Sequence, residues 1–255
     1  MIDAAMPYLR CPVCGGELHR SGTAVRCAAG HSYDLARQGY VNLTTGRMPH
    51  AGDTAEMVAA RAAFLDAGHY DLIAQALGDA AGTRTGLVVD AGTGTGRYLA
   101  AVLDRVPDRV GLGLDVSKAA LRRAARAHPR AGAALVDLWR PLPLAAASAA
   151  VLLNVFAPRN GAEFRRVLRP DGVLLVVTPA ADHLTELIGA LGLLRVDSDK
   201  AHRVAESLAG SFASAGTSTH RRTMTLTHQQ VHTLVAMGPS AWHTEPQRLA
   251  AAVAA

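Results

Sequence analysis

Three cysteines and a histidine near the N-terminus have the spacing of a metal site. The cysteines are Cys11, Cys14 and Cys27, and His31 follows the last of them. Cysteines two residues apart form a turn that aims both sulfur atoms at one point, and Cys27 with His31 completes a tetrahedral set. Thiolates and a neutral imidazole suit Zn²⁺, and four protein ligands make such a site structural. The competing fourth ligand is His19, whose spacing to Cys14 is too tight to share the Cys27 turn comfortably.

A glycine-rich loop, DAGTGTG, follows a short apolar run and precedes a predicted helix. It begins at Asp90 and contains Gly92, Gly94 and Gly96. Glycines allow tight turns and a close approach of the backbone to a ligand. In nucleotide-binding enzymes such a loop receives a pyrophosphate at the helix N-terminus, and the same geometry can hold the methionine part of S-adenosylmethionine. The loop alone leaves both ligands open.

Asp90, Asp137 and the presence of a single nucleotide-binding half favour the methyl donor over a dinucleotide, and Asp115 suits either ligand. Asp90 can orient the amino group of the donor or a helix-capping water. Asp115 ends the second predicted strand, about 20 residues on, where a carboxylate grips ribose hydroxyls. Asp137 ends the third predicted strand, where an adenine amino group would lie. Only one such half is present, whereas dinucleotide folds pair two, so we expect S-adenosylmethionine, with NAD as the alternative.

Alternating strands and helices must position this loop. Apolar runs predict strands at 87–90, 110–115, 132–137, 149–155 and 172–177, and helices lie between them at 97–105, 117–127, 161–168 and 181–191. This alternation predicts an α/β protein with a mostly parallel, doubly wound, Rossmann-like sheet. Outside it, the sequence predicts a helix from 53 to 80 interrupted at Gly68, a helix at 201–210, an edge strand at 217–227 and a helix capped by Thr227.

The chain divides at the sequence level into three parts. We expect a zinc module over 1–40, a linker and helix over 41–85, and the catalytic domain over 86–255. Hydrophobic residues make up 49% of the 255, enough for a packed core, and no run of about 18 apolar residues predicts a membrane span. The N-terminus lacks a signal peptide, and three cysteines suit a reduced metal site, so we expect a cytoplasmic protein.

The formal net charge of +5 is compatible with a polyanionic substrate. Arginines gather in two helical groups and around the metal site: Arg122, Arg123, Arg126 and Arg130; Arg165, Arg166 and Arg169; Arg10, Arg20 and Arg26. Such groups are usually solvated faces. If the substrate is RNA, some of them should contact phosphates, and binding should weaken with salt.

Eight strings spread over essentially the whole chain resemble one enzyme family. They are CPVC, ARQGYVNL, GDTAEMVAARAAFLDAGHY, DAGTGTG, LDVSKAALRRAARAHP, NVFAPRN, VVTPAADHLTEL and MGPSAW. They occur in the order found in the large-subunit ribosomal RNA guanine-N1 methyltransferases of the RlmA type. The actinobacterial branch that confers resistance to macrolides such as tylosin looks most similar. These strings are far more specific than the glycine-rich loop alone.

The resemblance implies a class I methyltransferase behind a zinc domain that contacts RNA. It implies methylation of N1 of a guanine in a 23S rRNA hairpin loop near the peptide exit tunnel, with macrolide resistance as the outcome, and it suggests a homodimer. Near the donor it places Tyr70, Gly94, Thr95 and His183. It also makes zinc ligands of Cys11, Cys14, Cys27 and His31.

The methyl acceptor is expected to bind at the NVFAP string, which ends the fourth predicted strand. Guanine N1 lies on the Watson–Crick edge, so it is reachable only in an unpaired or extruded base. Related enzymes hold the target base at this string, where Asn154 could hydrogen-bond a base edge or the donor and Phe156 could stack, unless Phe156 belongs to the core. Trp242 is either a stacking platform or an anchor of the last helix. No general base is assigned.

Two other functions compete with this interpretation. One is a small-molecule methyltransferase, because the fold serves many acceptors; the zinc module and the basic faces disfavour it. The other is a non-catalytic RNA-binding factor that has lost its donor site. The intact set of loop glycines with Asp90 and Asp115 disfavours that second alternative.

Overall fold

The computed structural model describes residues 2–46, 48–49, 52–191, 197 and 199–238. The chain forms two compact units, one of Met1–Asp53 with Ile73–Val177 and the other of Thr54–Leu72 with Thr178–Ala255. The division at residues 40 and 85 that the sequence predicts stays a prediction. Among the described residues, no helix is long and apolar enough to cross a membrane.

The N-terminal module of the first unit is more regular than the sequence indicates. A short helix α1 (Ile2–Ala5) precedes an antiparallel sheet whose order is that of the chain: β1 (His19–Ser21), β2 (Ala24–Arg26) and β3 (Ser32–Asp34). A two-residue turn joins β1 to β2, and its Gly22 has a φ of +61°, the left-handed conformation that tight hairpins require. Strands of three residues are too short to produce a recognisable alternation.

A six-stranded parallel sheet forms the centre of the first unit. Its strands are β4 (Tyr40–Asn42), β5 (Gly86–Ala91), β6 (Arg109–Asp115), β7 (Ala131–Leu135), β8 (Ala149–Val155) and β9 (Leu168–Val177). Their order is β4-β7-β6-β5-β8-β9, and every neighbouring pair is parallel. The doubly wound α/β fold is therefore confirmed. The edge strand β4 was not expected, because it has only three residues and lies across the predicted boundary between the zinc module and the linker.

Three helices follow strands of this sheet, and a fourth leads into β5. They are α3 (Asp71–Ala81), α4 (Arg97–Asp104), α5 (Lys118–Ala124) and α6 (Gly161–Val167). Leu77, Leu99 and Leu103 pack with Val88 and Val151 of the sheet in one buried cluster. The strand order reverses between β5 and β8, so the carboxyl ends of these two strands border the crevice where ligands bind in folds of this type.

A buried arginine ties the amino end of β6 to its neighbours. Arg109 is fully buried and donates hydrogen bonds to the carbonyl oxygens of Ala81, Gly82, Arg84 and Val102 at 2.5–3.2 Å. Three of these carbonyls lie at or just beyond the end of α3, and the fourth lies in α4. The guanidinium thus satisfies carbonyls at helix ends that have no partner within the helix.

The second unit is helical where it is described. Its elements are α2 (Ala55–Asp66), α7 (Thr185–Leu191), α8 (Lys200–Ala209) and α9 (His228–Ala236). Thr54 caps α2, Gly68 at a φ of +79° interrupts the predicted long helix, and Thr227 with Gln230 forms a capping box for α9. The edge strand predicted at 217–227 is wrong. This segment is mostly exposed and pairs with no described strand, and threonine-rich composition alone does not supply the partner that a strand needs.

Candidate donor site and metal centre

The four predicted metal ligands meet at one point in the N-terminal module. The ligand atoms of Cys11, Cys14, Cys27 and His31 all lie within 4.8 Å of one another. Cys14 Sγ is 3.7 Å from Cys27 Sγ, and His31 Nδ1 is 3.3 Å from Cys27 Sγ and 3.5 Å from Cys11 Sγ. Zn–S bonds of about 2.3 Å and Zn–N bonds of about 2.0 Å in a tetrahedron require ligand separations of about 3.5–3.8 Å. The cluster fits a structural zinc ion, and the competing ligand His19 lies outside it, on the exposed strand β1.

A tyrosine supports this cluster from the third strand of the module. The Tyr33 hydroxyl donates a hydrogen bond to Cys11 Sγ at 3.1 Å. Burial opposes ionisation of Cys11, but the bonds from Tyr33 and from the backbone outweigh it and lower the pKa of the thiol to about 6. The thiolate, which is the form that binds metal, is thus favoured at neutral pH. Sequence spacing gave no signal for Tyr33, because hydrogen-bond partners of metal ligands have no fixed offset.

The glycine-rich loop lies between the end of β5 and the start of α4. The backbone N–H groups of Gly92 and Thr93 donate to the Leu114 carbonyl, and that of Gly94 donates to Asp115 Oδ2 at 2.8 Å. Gly92 has a φ of +86°, and a Cβ there would lie 2.3 Å from the Cβ of Ala157. The loop therefore needs glycine at this position for both backbone conformation and space.

Asp90 is a buried carboxyl with one free oxygen. Thr93 Oγ1 donates to its Oδ2 at 2.8 Å, while Oδ1 accepts no hydrogen bond within the described part of the chain. Burial raises the pKa of Asp90 to about 7; the bond from Thr93 opposes this shift and the charge of Asp115 adds to it. A buried acceptor without a donor is costly, so this oxygen is suited to a ligand that brings an N–H group.

Asn154 joins the two strands that border the crevice. Its Nδ2 donates to the Ala91 carbonyl at 3.1 Å and to the Pro158 carbonyl at 2.8 Å. Its Oδ1 is buried and has no donor among the described residues. The carboxyl ends of β5 and β8 thus carry one unfilled acceptor each, Asp90 Oδ1 and Asn154 Oδ1. Nothing in the sequence indicated that both would be left open.

The other two predicted acids differ in their surroundings. Asp115 ends β6 as predicted, and its two oxygens accept from the N–H groups of Gly94 and Ser117, both at 2.8 Å. Asp137 lies two residues beyond β7, which ends at Leu135 rather than at 137 as predicted. It is buried and accepts from the backbone of Trp139 at 3.0 Å.

The aromatic side chains near the crevice are exposed and do not belong to the hydrophobic core. Phe156 directly follows β8, is 45% exposed and has a φ of +52°, so its alternative assignment to the core is wrong. A bulky residue in the left-handed region is an outlier that occurs mostly at functional sites. Trp139, which sequence reasoning missed, is 55% exposed. Trp242 lies outside the described residues.

Tyr70 and His183 are brought together in the second unit. The Tyr70 hydroxyl lies 3.4 Å from His183 Nε2, although the two residues are 113 positions apart. Phe64 packs edge-on against the Tyr70 ring, with centroids 5.2 Å apart. Burial raises the pKa of Tyr70 to about 12 and lowers that of His183, so both side chains are neutral at pH 7.5. The resemblance places both residues near the donor, and the structure brings their side chains into contact with each other.

Many of the arginines singled out in the sequence are already engaged. Arg166 binds Glu163 and two backbone carbonyls, and Arg130 donates to the carbonyls of four residues. Exposed arginines remain on α5, at Arg122 and Arg123 and just beyond it at Arg126. Arg26 and Arg165 are exposed as well, and all of these exposed arginines are suited to contact a polyanion.

Comparisons with known proteins agree with these two sites. A family model for the zinc ribbon at the N-terminus of RlmA matches residues 9–46, and a model for a methyltransferase domain matches 88–172. A solved structure from Methanococcus maripaludis, provisionally assigned as an S-adenosylmethionine-dependent methyltransferase, is 17% identical with a TM-score of 0.47. It covers 64% of this chain and 88% of that one, a likeness too low to bear on function.

Relatives of known sequence are much more similar. The chain is 64% identical to a Micromonospora griseorubida protein provisionally assigned as a 23S rRNA (guanine-N1)-methyltransferase, with 98% of this chain and 92% of that protein covered. It is 53% identical to the 23S rRNA (guanine(748)-N1)-methyltransferase of Streptomyces fradiae, with 97% and 90% covered. Since these similarities extend over nearly the full length of both chains, the protein belongs to the family of 23S rRNA (guanine-N1)-methyltransferases.

Proposed function

We propose that this protein transfers the methyl group of S-adenosylmethionine to N1 of a guanine in 23S rRNA. The observation that carries the proposal is the 53% identity to the Streptomyces fradiae enzyme over 97% of this chain. The geometry supports the donor half of this proposal, because a buried carboxyl, a glycine loop and a buried amide converge on the crevice between β5 and β8. That crevice is where ligands bind in this fold.

Ten residues form the proposed donor site. The residues that we assign to it are Tyr70, Asp90, Gly92, Gly94, Thr95, Gly96, Asp115, Asp137, Asn154 and His183. The free oxygen of Asp90 is suited to the donor's ammonium group, Asp115 to the ribose hydroxyls and Asp137 to the adenine amino group. Tyr70 and His183 supply a neutral, partly buried pair. The sulfonium of the donor supplies the electrophilic methyl carbon.

The acceptor side must hold an extruded guanine. In the reaction, a bond forms between N1 and the methyl carbon, the carbon–sulfur bond breaks, and the N1 proton leaves. The exposed ring of Phe156 is suited to stack on the base, and the open oxygen of Asn154 to accept from its edge. Holding N1 in line with the methyl group contributes much of the acceleration in such transfers. Trp242 stays a predicted member of this pocket.

The zinc module has a structural role in this proposal. Cys11, Cys14, Cys27 and His31 hold the ion, and no ligand position is left for substrate. The module would contact RNA, and the chain would form a homodimer, as the resemblance implies. The same resemblance implies a target in a hairpin loop near the peptide exit tunnel and protection against macrolides. Sedimentation velocity would test the dimer, and drug sensitivity of a host that lacks the native enzyme would test protection.

The decisive experiment is methyl transfer from labelled S-adenosylmethionine to 23S rRNA, followed by mass mapping of the modified nucleotide. The expected product is a single 1-methylguanine in a hairpin loop. A methylated cytosine or adenine would refute the assignment of guanine as the methyl acceptor. Transfer to no RNA, despite calorimetric binding of the donor, would favour a small-molecule acceptor, and failure to bind the donor would favour a non-catalytic RNA-binding factor.

A further inference from the structure

Two loops at the carboxyl edge of the central sheet meet above the glycine-rich loop. One follows β7 and contains Leu138 and Trp139, and the other follows β8 and contains Phe156 and Ala157. Asn160 of the second loop donates a hydrogen bond to the Leu138 carbonyl at 3.2 Å. A Cβ built on Gly92 would lie 2.3 Å from the Ala157 side chain and 3.8 Å from that of Leu138. The two loops are therefore neighbours at the donor site.

Each of these loops exposes one large aromatic ring. Trp139 is 55% exposed and Phe156 is 45% exposed, and the third large hydrophobic residue exposed in the described part of the chain, Val13, lies in the zinc module. Exposing such rings costs hydrophobic free energy, and holding Phe156 at a φ of +52° costs backbone strain. Phe156 also keeps its backbone N–H bonded to the Val177 carbonyl, so its position is fixed. Two costly features at one edge of the site point to a bound partner.

The charges around the rings identify the kind of partner. Arg140 follows Trp139 and is exposed, and Arg159 lies on the second loop with a pKa lowered by burial. Arg140 lies 3.8 Å from the buried carboxylate of Asp137 and donates to the Thr45 carbonyl at 2.7 Å, yet 44% of its side chain stays exposed. Flat rings beside guanidinium groups match single-stranded nucleic acid, whose bases stack on aromatic side chains while its phosphates are neutralised.

We propose that Trp139 is a stacking platform for an unpaired base that flanks the methylated guanine, while Phe156 stacks on the guanine itself. This inference rests on the proposed function and extends it to the neighbouring nucleotide. Base–aromatic stacking is tolerant of sequence, because every base has a flat face. Trp139 thereby selects a loop in which two bases are unstacked, and so disfavours guanines within a duplex.

Substitution of Trp139 tests the platform. With an RNA hairpin substrate, Trp139→Leu should raise KM by between about 5-fold and about 150-fold, the loss expected for one base–aromatic stack, with kcat nearly unchanged. Trp139→Phe keeps a flat ring and should stay much nearer the wild type. Donor affinity, measured by calorimetry, serves as the fold control, because the contact of residue 139 with Asp137 uses the backbone. If the leucine variant failed this control, Trp139→Gln would replace it.

A double-mutant cycle then separates stacking from a general effect on binding. Hairpins that are abasic at single positions beside the target guanine are titrated against the wild type and Trp139→Leu. At one position the losses should be non-additive, since protein ring and base act through the same contact. RNA should also quench a fluorescence component that is present in the wild type and absent in Trp139→Leu.

The outcomes distinguish the platform from the proposed function. Equal KM values for wild type and Trp139→Leu, or additive losses at every abasic position, would overturn the platform even if guanine methylation is confirmed. Coupling at one position without any methylation would overturn the proposed function and leave the platform standing. Unchanged RNA binding with altered self-association in Trp139→Leu would show that the ring contacts protein, and would also overturn the inference.

Discussion

The buried carboxyl of Asp90 makes the stability of the donor-free protein depend on pH. Burial raises its pKa to about 7, compared with 3.8 for a free aspartic acid. Because the folded state holds the proton more tightly than the unfolded chain, the protonated form is stabilising at low pH. This stabilisation declines as the pH rises from about 4 and is exhausted above about 7. Replacing Asp90 by asparagine keeps an acceptor for Thr93 and removes the charge.

The size of the effect follows from these two pKa values. Between pH 5.5 and pH 8, Asp90 should lower the free energy of unfolding by about 2 kcal/mol. For a protein of this size, 1 kcal/mol shifts Tm by about 2–4 °C. Relative to the wild type, Tm of Asp90→Asn should therefore be about 4–8 °C higher at pH 8 than it is at pH 5.5. Since zinc binding also changes with pH, the two proteins are always compared at the same pH.

Differential scanning calorimetry without donor measures this gap. Asp108→Asn, which neutralises an exposed carboxyl, is the control for the loss of one negative charge. A gap in Tm between Asp90→Asn and wild type that stays constant from pH 5.5 to pH 8 would refute the reasoning.

Donor binding tests the same carboxyl in a second way. An ammonium group placed at the free Asp90 oxygen favours the carboxylate, so binding at pH 6.5 should release a proton in the wild type and not in Asp90→Asn.

Three further predictions concern positions outside this titration. Arg109→Met leaves four carbonyls without their donor and should lower the free energy of unfolding by about 3 kcal/mol or more in urea denaturation; a change below about 1 kcal/mol would contradict the assigned role. Tyr33→Phe removes the bond to the Cys11 sulfur and should weaken zinc binding about 10-fold in a chelator competition, whereas zinc retention equal to the wild type would exclude this support. Gly92→Ala should abolish donor binding in calorimetry through its steric clash, whereas Gly22→Ala, which has similar backbone strain but open space, should not; equal effects would show that strain alone matters.

Structural features that depend on residues close together in the chain were predicted well. The Cys-x2-Cys and Cys-x3-His spacings placed four ligands within 4.8 Å, because a few residues of backbone determine where such side chains can meet. The apolar runs located five of the six strands of the parallel sheet to within a few residues, since a buried parallel strand is apolar along its length. Thr227 was correctly identified as a helix cap, because a cap is a contact over three residues.

Features with little local pattern were missed or wrong. The strand β4 has three residues, too few for a period, and it exists because β7 offers an edge beside it. The segment 217–227 has the composition of a strand and no described neighbour to pair with. Asp137 was placed at a strand end, whereas β7 ends two residues earlier, where its pairing with β6 ends.

The sequence by itself determined the kinds of chemistry: a zinc ribbon, a glycine-rich donor loop and acids at strand ends. It did so because each depends on residue types at short spacing. Only the tertiary structure decided which buried oxygens find no donor among the described residues, one each of Asp90 and Asn154, and that the rings of Trp139 and Phe156 stay exposed. It also decided that Tyr70 meets His183. Burial and hydrogen-bond satisfaction are sums over neighbours that are far apart in the chain, so they are known only once the strands are ordered.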